Sequence, residues 1–305
     1  MKTREAILLL TISSVLWGLT NASSFQSEVC IVSDGKKQPL LFNAKKELVY
    51  PARSCHTKRK GEVFVGAVYI GCSGKRRNFL KNAGGKKLAN GTELVRIDPK
   101  LDGDYRCRFV SGSTVVKRSG TDDVFDIIFM FERGNVQHVI YSIKWNAKEY
   151  SPVWVRHVPT FQYQEATLDD EDVVTDTGIR ASWRFSRKIF GKDVNPRPFF
   201  KLASTEHGMS RGHLAPAADF LLASERWSTF QLGNVVPQPQ SHNNGEWKSI
   251  EERVRGIKGV LYVETGPIYP KGGEKFIGII PVPMGMYKKV VMKNSSIGLY
   301  EESYF

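Results

Sequence analysis

The sequence predicts an α+β protein in two parts, a disulfide-bearing β-rich region followed by a domain in which strands and helices mix. Three observations lead there. All four cysteines (Cys30, Cys55, Cys72 and Cys107) fall within the first 107 of the 305 residues. Up to Trp145 the apolar segments are short, β-branched and aromatic, with turn residues between them. Beyond Tyr150 a helical period enters, clearest in the stripe Trp247, Ile250, Val254 and Ile257. This divides the chain into residues 1–22, 23–145 and 146–305.

The first 22 residues read as a secretory signal peptide. Lys2 and Arg4 precede an apolar run from Ala6 to about Leu19, and small polar residues follow, with cleavage expected after Ala22. The run is short for a membrane anchor and is interrupted by Thr11, Ser13 and Ser14, and no later segment is apolar enough over a bilayer's width. The expectation is a secreted, extracellular protein with no membrane association after cleavage. In an oxidising compartment four cysteines imply two disulfides, for which three pairings are open. A zinc site lacks the usual Cys-x-x-Cys spacing.

Charge is distributed unevenly. The whole chain carries +13. Residues 23–145 hold 22 Lys and Arg against 12 Asp and Glu, a net of +10, whereas residues 146–305 hold 20 against 18, a net of +2. A polyanion partner fits this excess, and so does a basic, solvated surface.

In chain order, Glu62–Cys72 has strand composition. Asp123–Phe131 and His138–Trp145 read as a hairpin turning at Arg133-Gly134-Asn135. Two basic clusters fall in loops, one with Lys58, Arg59 and Lys60 and one with Lys75, Arg76 and Arg77, and both are candidates for nucleic-acid contact. Phe79, beside the second, is either a base-stacking residue or part of the local core. Asn90 and Asn294 begin N-glycosylation sequons. Asp169–Asp172 lacks the spacing of a calcium loop and reads as solvated linker. From Thr177 a helical pattern places Ile179, Trp183 and Ile189 on one face until Asn195-Pro196-Arg197-Pro198 breaks it. Ser210–Phe220 reads as strand and loop, and Asn234–Pro237 as a second strand or connection. A helix is expected from Asn243, capped by that residue with Glu246 closing a capping box. Gly259 ends it, before a strand Val260–Thr265.

The chemistry gathers in two stretches. Arg211-Gly212-His213-Leu214-Ala215-Pro216 sets an imidazole beside a guanidinium, with a glycine between them that lets a bound group approach the backbone. Asn243-x-Gly245-x-Trp247-x-x-x-Glu251-x-x-x-Arg255 supplies an amide, a carboxylate and a second guanidinium on one helix. Taken singly these are ordinary residues: a core histidine, a helix cap, a surface Glu–Arg pair. Taken together they are a base, a metal-ligand candidate and two phosphate clamps, the parts needed to hydrolyse a phosphodiester. Zinc held by His207, His213 and His242 would follow no usual zinc spacing.

The two spaced motifs resemble the DNA/RNA non-specific endonuclease family, and the layout is most similar to its secreted arthropod members. The resemblance covers most of the chain from about Cys30 onward and is most specific between Arg211 and Arg255. It implies a ββα-metal domain, a mixed sheet flanked by helices, that hydrolyses DNA and RNA, double strands included, to 5′-phosphates. In that family pattern His213 is the general base and Asn243 holds a single Mg2+, with Mn2+ as the alternate. Glu251 holds a metal-bound water and Arg211 and Arg255 clamp the phosphate. Asn234, Gln238, Ser210 and Asp219 support the site, and an upstream arginine corresponds to Arg180 or Arg184. The chain departs from the pattern at Ser210, where many members carry Asp, with Asp219 a candidate to supply the missing charge. The resemblance also implies further structure beyond Pro281–Tyr287, so a C-terminally incomplete domain is expected. An alternative reading keeps the scaffold for non-specific nucleic-acid binding with little or no turnover. It predicts affinity that falls steeply with salt. Oligomeric state is not encoded in any of these features.

Overall fold

The computed structural model describes residues 28–32, 38–54, 61–72, 79–81, 87–90, 93–97, 105–108, 115–133, 136–163, 183–190, 195–270, 275–292 and 296–303. The signal-peptide reading, Cys55, the six basic loop residues Lys58, Arg59, Lys60, Lys75, Arg76 and Arg77, the acidic run 169–172, Arg180 and Asn294 lie outside these residues.

The N-terminal part is built of short antiparallel strands in three small sheets. Gly66 adopts φ 74°, a left-handed turn that splits the expected Glu62–Cys72 strand into Gly61–Val65 and Tyr69–Gly71. The local core is small, with Leu41, Phe64, Ile70, Leu80 and Tyr105 around a disulfide between Cys72 and Cys107. Of the three open pairings the fold thus selects Cys72–Cys107, and Cys30 is disulfide-bonded as well. In so thin a core each bridge is expected to contribute about 2–4 kcal/mol.

A seven-stranded antiparallel sheet follows. Its strands are β1 (Val115–Gly120), β2 (Val124–Arg133), β3 (Val136–Asn146), β4 (Ser151–His157), β7 (Val260–Ile268), β8 (Gly285–Met292) and β9 (Ser296–Ser303), in that spatial order. Between β4 and β7 the chain forms a separate hairpin, β5 (Met209–His213) with β6 (Val235–Pro239). Its described residues there also form, besides the single turn Arg187–Phe190, the helices α1 (Arg197–His207), α2 (Ala223–Thr229), α3 (Gln240–Asn244) and α4 (Glu246–Arg255). This is an α+β fold with a disulfide-bearing β region. The large sheet carries strands from both sides of residue 145.

Alternation along the strands decides which face is buried. Phe125, Ile127 and Phe129 of β2, Ile143 and Trp145 of β3, Val155 of β4 and Val263 of β7 point inward. Trp247, Ile250 and Val254 bring the apolar face of α4 onto this surface, as their helical spacing predicts. Each such fully buried large side chain contributes about 1.5–3 kcal/mol. The same core receives Leu40 and Phe42 from the N-terminal part. Gln38 Oε1 accepts from the Ala223 amide (2.9 Å) and Tyr50 Oη donates to Glu225 Oε1 (2.8 Å), so the N-terminal part is bonded to α2.

Two helix expectations are corrected. Trp183–Ser186 is not helical: Arg184 bridges Gln231 in parallel, and only Arg187–Phe190 forms a helical turn. The extended backbone lets Arg184 N donate to Phe230 O and Leu232 N to Arg184 O, bonds that a helix would forgo. The Pro196–Pro198 stretch begins a helix rather than only breaking one. Pro198 lies in the first turn of α1, where a missing N–H costs nothing, and Gly208 at φ 62° ends it. Among the described residues no helix is long and apolar enough to cross a membrane.

Candidate active site

β5 and β6 pair in antiparallel register, with Arg211 opposite Pro237 and His213 opposite Val235. Residues two apart on a strand share a face, so Arg211 and His213 project together and Gly212 projects the other way. Trp183 lies against the pair. Its ring centroid is 5.2 Å from that of His213 and 5.3 Å from the Arg211 guanidinium carbon. Phe230 meets the imidazole edge-on at 5.4 Å. Nε2 of His213 and Nε of Arg211 are buried, with no hydrogen-bond partner among the described residues. Burial without a counter-charge pushes the imidazole down to about 4. His213 is therefore neutral at physiological pH, the form that can accept a proton. Burial also lowers the Arg211 guanidinium, which remains a cation.

The glycine between them has a cause other than the approach of a bound group. A Cβ at Gly212 would stand 2.3 Å from Gln238 Oε1 and 3.0 Å from Gln238 Cβ. Gln238 is fully buried and fills that space. Gly212→Ala should therefore destabilise the protein by about 1–3 kcal/mol through overpacking and reduce any activity that depends on β5. Thermal melts would show the loss, and the Gly212→Ala/Gln238→Ala double substitution should recover most of it. An unchanged melting temperature in the single variant would remove this account of the glycine.

Asn234, also fully buried, anchors the chain beyond His213. Its Nδ2 donates to Ala215 O (3.0 Å) and Thr229 O (2.9 Å), and its Oδ1 accepts from Ala215 N (3.0 Å). Ser210 donates its hydroxyl to Gln238 O (3.1 Å) and so braces the hairpin rather than the imidazole. Arg184 donates to Trp227 O and lies against the Trp227 ring, which leaves it a structural part of the wall.

The helical half differs from its expected form. Asn243 is not an N-cap, and no capping box forms with Glu246. α3 already begins at Gln240, directly after Pro239 ends β6, and α4 restarts after Gly245 with no side-chain cap. Gly245 has φ −103° and ψ −112°, which breaks the helix in two. Asn243 sits near the end of α3, half-buried, and its amide makes no hydrogen bond among the described residues. The position thus frees the side chain that a capping role would have occupied.

Glu251 and Arg255 lie one turn apart, yet Arg255 turns to Asp219. Its Nη1 donates to Asp219 Oδ1 at 3.1 Å, and the other Asp219 oxygen accepts from His157 Nε2 at 2.7 Å. Asp219 is 1% exposed. Burial pushes its carboxyl upward, but His157, Lys288 and Arg255 outweigh this and leave it below the usual range. Its charge is therefore committed to these groups. His157 is pushed down by burial, although Asp219 opposes the shift. Its Nδ1 has no partner among the described residues, as befits a neutral ring donating through Nε2. Glu251 is pushed by burial up to about 7, with Lys288 and Arg255 opposing and Asp219 adding to the rise.

Sequence reasoning missed Trp183 as a site residue, and with it His157 and Lys288. The last two left a signal. His157 alternates with Val155, and Lys288 with Met286 and Val290, so strand period alone places both on the apolar face. Trp183 left none, because the helical period assigned to its segment was not the one adopted.

Among the described residues no three His, Cys, Asp or Glu side chains gather as a metal cage. What α3 and α4 offer is an unengaged amide oxygen at Asn243 and the carboxylate of Glu251. These are hard oxygen donors, too few to strip a cation of its water, and they fit a hydrated ion such as Mg2+.

The profile of the DNA/RNA non-specific endonuclease family matches residues 130–305, more than half of the chain. A salivary endonuclease of Lutzomyia longipalpis is 25% identical over 262 residues, covering 81% of this chain and 62% of that protein. The mitochondrial nuclease EXOG of Homo sapiens is 31% identical over 126 residues, 35% of this chain and 34% of its own length. A nuclease of Nostoc sp. is 33% identical over 92 residues, 29% of this chain and 33% of the Nostoc protein. The chain thus spans about six tenths of the length of the Lutzomyia protein and about a third of the other two.

Proposed function

Because this chain belongs to the DNA/RNA non-specific endonuclease family, we propose that it is a secreted, divalent-metal-dependent endonuclease that hydrolyses phosphodiester bonds of DNA and RNA, double strands included. The observation that carries the reading is the His213 imidazole, neutral and without a partner on Nε2, sharing a strand face with Arg211. A base for water must be unprotonated at working pH and must not be committed to another group.

In this reading His213 takes the proton from the attacking water, and the hydroxide so formed adds to phosphorus as the P–O3′ bond breaks. A proton returns to the 3′ oxygen, leaving a 5′-phosphate and a 3′-hydroxyl. Arg211 and Arg255 hold the non-bridging oxygens. Arg255 has one N–H on Asp219 and is 15% exposed, so it can reach the phosphate with the rest. Mg2+ or Mn2+, when held by Asn243, supplies Lewis-acid neutralisation of the charge that develops at phosphorus and on the leaving oxygen. Glu251 keeps a site water in register by accepting its hydrogen bond. Trp183 closes one side of the imidazole to solvent. Secretion is supported by the N-terminal pattern, by the disulfides and by the salivary relative.

The test is direct. Supercoiled plasmid and double-stranded RNA are incubated with the purified chain in Mg2+ and in excess chelator, and the products are resolved on gels. Fragments in Mg2+, abolished by chelator and restored by added Mg2+, are expected. Cleavage that persists in chelator would refute the metal requirement. Intact nucleic acid with shifted mobility would leave binding as the activity.

A further inference from the structure

Away from β5 and α4, three potential metal donors converge on one point. Tyr50 comes from the N-terminal part, His138 from β3 and Glu225 from α2. Tyr50 Oη donates to Glu225 Oε1 at 2.8 Å, and His138 Nε2 lies 3.1 Å from the same oxygen. Tyr50 Oη and His138 Nε2 are 3.3 Å apart, so the three atoms close a triangle. The other carboxylate oxygen is fixed separately. Glu225 Oε2 accepts from Leu222 N (3.2 Å) and from Thr160 Oγ1 (3.1 Å). Thr160 is placed in turn, because its hydroxyl oxygen accepts from Leu221 N at 2.9 Å. The imidazole stacks on Phe131, directly opposite on β2, with ring centres 6.1 Å apart, and the Tyr50 ring meets it edge-on at 6.3 Å. Glu225 is 0% exposed, and a buried carboxylate needs a positive charge beside it. Among the described residues its ion-pair partner is His138, whose side chain is 25% exposed and opens the triangle to solvent. An imidazolium or a metal ion can supply that charge.

We infer that Tyr50, His138 and Glu225 form a binding site for a transition-metal dication, Zn2+, that clips the N-terminal part to β3 and α2. The donor set fits. An imidazole nitrogen and a carboxylate oxygen are ordinary zinc ligands, and the phenol oxygen of Tyr50 is the third. With bonds of about 2.0–2.2 Å, tetrahedral donors stand roughly 3.3–3.5 Å apart, so the triangle opens by about half an ångström at its shortest side. Water takes the fourth position, where His138 is exposed. On binding, Zn2+ replaces the Tyr50 hydroxyl proton, which leaves to solvent, and His138 carries its proton on Nδ1 so that Nε2 can bind. The bonds from Leu222 and Thr160 to Oε2 orient the carboxylate from behind. A cage of His, Cys, Asp and Glu alone does not occur among the described residues; here a phenol completes the set. The site is separate from Asn243 and Glu251, which offer no nitrogen base and suit a hydrated ion. Its effect is structural. Tyr50 and His138 are 88 residues apart, and His138 and Glu225 are 87, so one ion closes two long loops beside a small N-terminal core. α2 also carries Thr229, whose carbonyl accepts from Asn234, the residue that anchors the chain beyond His213.

The test uses the full chain, stripped with chelator and desalted. Zn2+ is titrated against a chromogenic competing chelator, and unfolding temperatures are read with and without Zn2+. Uptake of one ion per chain and a raised unfolding temperature are expected. Tyr50→Phe, which removes one oxygen and keeps the ring, should weaken that uptake by about tenfold or more and abolish the thermal shift. His138→Gln should do the same. Glu251→Gln, in the other ion site, should change neither. A wild-type chain that takes up no Zn2+ would overturn the inference. So would an affinity that falls by less than about tenfold in either variant. Uptake lost in Glu251→Gln and kept in Tyr50→Phe would place the ion at α4 instead, and would equally overturn it. Should His138→Gln not fold, Tyr50→Phe decides alone.

Discussion

Replacement of His213 by alanine is expected to lower the rate of plasmid cleavage by more than about 100-fold, the usual scale of a lost general base, while the protein stays folded. The imidazole packs against Trp183 and Phe230 but bonds to nothing through Nε2. Its removal thus leaves no buried partner unsatisfied. The pH dependence separates this residue from Glu251. The folded value of His213 is depressed from 6.5 to about 4, so the neutral form persists throughout the range from 5 to 8. Stability linked to this histidine is full above its unfolded value and declines as pH falls toward about 4. An acid limb near 7 would then report Glu251, whose carboxyl is raised to about 7. The variant would be compared with wild type in initial rates at saturating Mg2+ and in its circular dichroism. Turnover within a few-fold of wild type, with the fold intact, would remove the imidazole from the mechanism.

The second large effect is on stability. Asp219→Ala is expected to cost about 3–5 kcal/mol, the scale for breaking a buried ion pair from one side. Asp219 joins β4 to α4 through bonds to His157 and Arg255, and its loss strands both partners. Its carboxyl is held below the usual range by His157, Lys288 and Arg255 against the effect of burial. The stability it contributes is therefore present above its unfolded value and is lost as pH falls through the depressed folded one. Urea unfolding at pH 7.5 would measure the first effect, and the acid branch of the stability curve the second. A variant within about 1 kcal/mol of wild type would mean that solvent or a neighbour replaces the carboxylate without strain, contrary to the ordinary cost of an unpaired buried charge.

This commitment of Asp219 also bears on the serine that stands where many family members carry Asp. Ser210 gives its hydroxyl to the β6 backbone and Asp219 is held by His157 and Arg255, so neither orients His213 through a hydrogen bond. The aromatic rings of Trp183 and Phe230 perform that task by packing. An imidazole oriented by packing carries no nearby anion to raise its basicity, which is why burial alone sets its protonation.

Much was legible from local pattern. The antiparallel pairing of β2 with β3 and the apolar stripe of α4 follow from period and composition, and so does the strand after Gly259, because each is a repeated local preference that the fold satisfies. Other assignments failed where a long-range bond outweighed a local preference. Trp183–Ser186 had a helical period, but Arg184 and Gln231 pair across 47 residues and hold the segment extended. Asn243 had the form of a cap, but the strand before it ends in proline and a new turn begins at once. The spaced residues from Arg211 to Arg255 were readable as one chemical set, since motif spacing is preserved in the linear chain. Whether their charges compensate one another was not. By itself the sequence determined the α+β class and the family, both of which depend on neighbours along the chain. The tertiary structure alone decided that Cys72 joins Cys107, that Gly212 faces Gln238, that Asp219 joins His157 to Arg255, and that Lys288 is bonded to Thr265 within the sheet. Those contacts form between strands and helices far apart in sequence, where pairing and burial, rather than local preference, set the energy.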